Sequence, residues 1–107
     1  MRCVANYEVG SEVSVVADEI VLTINDPRGA SKARIKNIPR SDFTTPFLLS
    51  VQIYFEAPNL KEAKEVAEEL LANCLNMLAF TTGSGYPLER CNLIAVSRYM
   101  QPRRQLM

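Results

Sequence analysis

The chain contains no histidine, and that absence removes a large part of enzymology. Without an imidazole it can form no Ser-His-Asp or Cys-His pair, and it lacks the commonest ligand of zinc and haem. Cysteine is scarce and dispersed. Cys3, Cys74 and Cys91 are odd in number and far apart, which suggests neither a disulfide framework nor a CxxC metal site. Their expected role is burial as small apolar side chains. The sequence therefore assigns no catalytic residue, no metal site and no cofactor.

Long apolar runs are missing as well. The longest, "LLANCLNMLAF", carries two asparagines and falls well short of the roughly 20 residues that cross a bilayer. Asn6 and Glu8 interrupt the opening stretch "MRCVANYEVG" before it resembles a secretory signal. The expectation is a cytoplasmic protein with no membrane association. Net charge is also absent, because 12 basic residues balance 12 acidic ones, which argues against a nucleic-acid binder held by overall positive charge. No repeat, linker or low-complexity segment appears.

What is present is an ordinary globular composition, 48% hydrophobic and 22% charged over 107 residues. That suits a single domain spanning residues 1–107, with a short flexible tail from about residue 101. β-Branched residues and turn residues fill the first third. "RCVANYEV" reads as a strand, and "EVSVVADEIVLTIN" as two short strands or one long bulged strand. "NDPRG" has the chemistry of a chain reversal. "ASKARIKNI" alternates Lys32, Arg34 and Lys36 with Ala33 and Ile35, so one face of that strand is expected to be basic and the other apolar. "FLLSVQIYFEA" has the bulk of a central strand.

Asn59 is placed to cap a helix, with Glu62 in the capping-box position, and an apolar period continues to about Phe80. The period puts Leu60, Ala63, Val66, Ala67, Leu70, Leu71, Cys74, Met77 and Leu78 on one face. "CNLIAVSRY" reads as a final strand. The predicted fold class is α+β: an antiparallel sheet of about five or six strands, with one long helix over about 59–80 packed on one face before the last strand.

Three features are candidates for function. The first is the cluster Arg28, Lys32, Arg34, Lys36 and Arg40. Pro27 to Ser41 contains no acid, whereas residues 3–26 contain five acids and no base. Such a cluster suits an anion, an acidic protein or a nucleic acid. Two observations weigh against it: lysines on an edge strand commonly serve only to block strand pairing, and only Phe43 supplies an aromatic nearby. The second is the loop "TTGSGYP". Thr81, Thr82, Ser84 and Tyr86 offer groups for a ligand, but the glycines follow a helix, whereas anion-binding loops precede one. Gly83 is thus expected to end the helix in a left-handed conformation, with Pro87 preventing its resumption.

The third is the outward face of the helix, which is charged at Lys61, Glu62, Glu65, Glu68 and Glu69. It then becomes uncharged at Ala72, Asn73, Asn76, Ala79 and Phe80. Charge depletion marks the centre of interfaces. The function expected is therefore non-catalytic binding or assembly, with a homo-oligomer, preferably a dimer, as the partner. The alternatives are anion or nucleic-acid binding through residues 28–40, and a small-ligand site or histidine-free acid/base enzyme near residues 81–87. For such an enzyme Glu56, Tyr54 and Cys91 are the groups available, with nothing to fix their mutual geometry.

Overall fold

The computed structural model describes residues 1–11, 14, 18–28, 31–38, 47–83 and 91–99, with the side chain of Thr82 excepted. Its elements are β1 (Arg2–Ser11), β2 (Glu19–Ile24), β3 (Ser31–Ile38), β4 (Phe47–Glu56), α1 (Leu60–Thr82) and β5 (Cys91–Arg98). The strands make one antiparallel sheet in the order β2-β3-β4-β1-β5, with α1 packed against one face. This is the α+β architecture that the sequence predicts, with five strands among the described residues. Most of the stretch between Ser11 and Asp18, Phe43 and the tail lie outside the described residues.

Period-two alternation decides which face meets the helix. On β4, Leu49, Val51, Ile53 and Phe55 are buried, while Ser50, Gln52, Tyr54 and Glu56 point the other way and are half-buried. On β1, Cys3, Ala5, Tyr7 and Val9 are buried, and Asn6 and Glu8 share the open side. The antiparallel sheet thus has one apolar face under the helix and one largely polar face in water, a division that needs no partner to cover the second face. "FLLSVQIYFEA" is indeed the middle strand, but it is buried on one side only.

β1 and β5 lose register once. Asn6 pairs with Ala95 and Tyr7 with Leu93, so Ile94 is an extra residue, 57% exposed, in a bulge. The turn between β2 and β3 is organised by Asp26, whose carboxylate accepts from the Arg28 backbone N–H at 3.1 Å and from the Ser31 hydroxyl at 2.8 Å. Ser31, although completely buried, is therefore satisfied.

Helix α1 begins and ends on local signals. The Asn59 side chain accepts from the Glu62 backbone N–H at 2.9 Å, and its amide donates back to the Glu62 carboxylate at 3.3 Å. Gly83 closes the helix at φ 75° and ψ 13°, in the left-handed region, and its N–H reaches the Ala79 carbonyl at 2.7 Å. Ala63, Ala67, Leu70, Leu71, Cys74 and Leu78 are buried as expected, with Val66 packed at the margin. Three positions differ from the expected face. Leu60 and Met77 are 51% and 37% exposed, while Leu75, outside the expected face, is buried. The covered arc is rotated away from Met77, which faces Leu22 of β2, towards Leu71 and Leu75, with Leu71 beside Cys91 and Leu93 of β5. Leu60 has the same angle as buried Leu78 and is exposed as the first residue of the helix.

Candidate functional site: two interaction surfaces

The first surface is the open face of the sheet. Lys32, Arg34 and Lys36 project from it on β3, while Ser31, Ala33 and Ile35 are fully buried beneath. β3 lies between β2 and β4, so edge protection does not explain its lysines. Arg34 and Lys36 share one counter-ion. Arg34 Nη2 lies 3.1 and 2.9 Å from the two carboxylate oxygens of Glu19, and Lys36 Nζ lies 3.5 Å from one of them. The Arg34 hydrogen bonds hold the Glu19 carboxyl below its usual range, against a smaller opposing effect of desolvation and with help from Lys36.

Lys32 has no ion pair among the described residues. Arg28 is committed elsewhere: it pairs with Asp26 at 3.4 Å and with Glu69 at 3.0 Å, tying the β2–β3 turn to α1. Arg40 lies outside the described residues. The cluster read from the sequence thus divides, with three cations on the open face and Arg28 at the edge of the helix layer.

Strand pairing adds residues to this face that no local pattern reveals. Tyr54 of β4 stands opposite Lys32, and Gln52 stands opposite Arg34 on one side and Asn6 on the other. The Tyr54 hydroxyl donates to Gln52 at 3.2 Å. Tyr99, just past β5, packs against Tyr54 edge to face, with ring centroids 5.1 Å apart and planes at 76°. An aromatic pair therefore sits beside the basic strand, supplied by segments far from it in sequence.

The second surface is the flank where the late part of α1 meets β2. Phe80 is 94% exposed. Its ring borders an apolar groove of about 440 Å³ with Leu22, Asn76, Met77 and Thr81. A second hollow beside it is formed by Thr23, Ile24, Asn25, Asn73, Asn76 and Met77. Asn73, Asn76 and Phe80, expected as interface residues, thus come together. Ala72 and Ala79 lie further round the helix and are half-buried, Ala79 against the core. Leu22 and Met77 are the members that sequence reasoning missed: Met77 was expected in the core, and only the strand order shows that β2 runs alongside.

The remaining candidates do not converge. Thr81 is exposed, and its hydroxyl donates to the Met77 carbonyl at 3.0 Å. The Thr82 side chain, Ser84 and Tyr86 lie outside the described residues. Tyr54 and Glu56 point from the open face, whereas Cys91 lies on the helix side. Desolvation would raise the Glu56 carboxyl, but hydrogen bonds from Arg2 and the terminal amine outweigh it and hold it below its usual range. Cys91 lines a hollow of about 200 Å³ with Tyr7, Lys64, Glu68, Leu71 and Leu93. Burial, with Glu68 and Cys91 nearby, pushes the Tyr7 phenol up to about 12, so it is no base at neutral pH. No cluster of metal-ligating side chains occurs among the described residues.

No protein-family model, curated protein or solved structure matches the chain.

Proposed function

We propose that this chain is a non-catalytic assembly module that pairs with a second copy of itself through the outer edge of β2 and the adjoining late flank of α1. The observation that carries the reading is Phe80, almost wholly exposed and bordered by Leu22 and Met77. A protruding ring and an apolar hollow side by side make a self-complementary patch, which an isologous two-fold contact requires.

Charge supports a like partner. Near a two-fold axis each residue meets its own copy or a near neighbour, so a charged patch would repel itself. Asn73, Asn76, Met77, Phe80, Leu22 and Thr23 carry no charge. The strand edge agrees with this: β2, "EIVLTI", has no lysine, proline or bulge to discourage pairing, whereas β5 at the other edge carries the Ile94 bulge. Antiparallel pairing of β2 with its copy would extend the sheet and set the two Phe80 flanks beside each other.

Sedimentation velocity at 5–100 μM, on the order of concentrations used for weak dimers, tests the reading. The expected result is a dimer for the parent and a monomer for Phe80→Asp, with the melting temperature of dilute protein unchanged because Phe80 contacts little in one copy. A parent that stays monomeric throughout this range overturns the proposal.

A further inference from the structure

The open sheet face carries a function of its own, independent of the pairing through β2. We infer that it is a binding site for single-stranded nucleic acid, centred on Tyr54 and Lys32.

The register gives the argument. Across the sheet, Thr23, Lys32, Tyr54, Val4 and Ser97 fall in one transverse row. The neighbouring row contains Arg34, Gln52 and Asn6. Neither row contains an acidic residue, although the Glu19 carboxylate reaches Arg34 from the next row. The acids of this face stand outside them: Glu19 and Glu8 are in the row of Lys36 and Ser50, and Glu56 is paired with Arg2 at 3.1 Å. Five strands about 4.8 Å apart make each row about 19 Å long, enough for several nucleotides.

Each chemical component that a single strand needs is present in this band. Lys32, with no ion pair among the described residues, and Arg34, with a side chain 43% exposed and held by Glu19 and by the Tyr54 hydroxyl, supply charge for phosphates. Tyr54 and Tyr99 supply aromatic surface for bases. Gln52 and Asn6, paired across β4 and β1, offer amide donors and acceptors of the kind that read base edges. An acidic peptide would use the cations but not the aromatic pair or the amides, so the combination favours a nucleic acid. Because the cations are few and partly countered, a flexible single strand that stacks suits the face better than a duplex bound chiefly through phosphates.

The experiment is fluorescence anisotropy with 5′-labelled decauridylate and decathymidylate in about 50 mM salt, under which weak phosphate contacts are retained. The expected result is saturable binding that weakens with salt at a log–log slope of about −1.4, as for two phosphate contacts to a single strand. Tyr54→Ala and Lys32→Gln should each weaken it at least fivefold, whereas Tyr54→Phe, which keeps the stacking face, should retain it. Lys32 is exposed, so its variant remains informative even if Tyr54→Ala proves unstable. Phe80→Asp should bind as the parent does, which separates failure here from failure of the assembly proposal. Absence of binding up to about 100 μM protein, a weakness matching merely non-specific contact, overturns the inference. So does binding indifferent to both Lys32→Gln and Tyr54→Ala, or equal displacement of the probe by polyglutamate.

Discussion

Arg34 of β3 and Glu19 of β2 are diagonal neighbours on the open face, with one guanidinium nitrogen within 3.1 Å of both carboxylate oxygens. The folded protein therefore releases the Glu19 proton more readily than the unfolded chain does. The stability this pair contributes is complete above the ordinary glutamate value of about 4.3 and is lost as pH falls through the lower value of the folded state. In a carbon-13 titration of side-chain carboxyls, Glu19 should titrate below its ordinary value, and Arg34→Gln should return it towards that value. An unshifted Glu19 in the parent contradicts the ion pair.

Gly83 gives a prediction free of packing effects. A Cβ added there meets nothing within 4 Å, so Gly83→Ala is penalised only for holding φ at 75°. The expected loss is about 1 kcal/mol, or about 5 °C in melting temperature for a domain of this size. Gly83→Asn should lose less, since asparagine tolerates the left-handed region better. An alanine variant as stable as the parent would mean that the helix does not end on this residue in solution.

Leu75 and Leu60 both lie on the sheet side of α1 but differ in burial, because Leu60 is the first residue of the helix. Leu75 is 3% exposed and Leu60 51%, so urea unfolding should show a loss of about 2–5 kcal/mol for Leu75→Ala and about 0.5 or less for Leu60→Ala. Equal losses would mean that the first turn of α1 is covered as fully as its middle.

Local features were readable from the residues because their causes are local. Asn59, Glu62 and Gly83 act over three or four positions, and the alternation from Lys32 to Lys36 fixes a face without knowledge of neighbouring strands. The exchange of Met77 for Leu75 was not readable. Periodicity gives an apolar arc, but the position of the sheet beneath decides its centre. The aromatic pair beside Lys32 was hidden for a related reason: Tyr54 and Tyr99 reach it through pairings across long sequence separations, and one sequence does not specify strand order. The same gap made β3 resemble an edge strand, when it lies one strand inside.

The interior position of β1 bears on how the chain is made. Arg2 pairs with Glu56 and Cys3 with Arg98, so β1, synthesised before the other four strands of this sheet, waits for two much later ones. During those seconds of translation, β2, β3 and β4 can already form a meander from neighbouring segments, while β1 can dock on β4 but keeps its other edge bare. Completion of that edge by β5 is a long-range closure, which slows folding. Nascent chains stalled before Cys91 should therefore be the species most prone to clumping and most dependent on a chaperone.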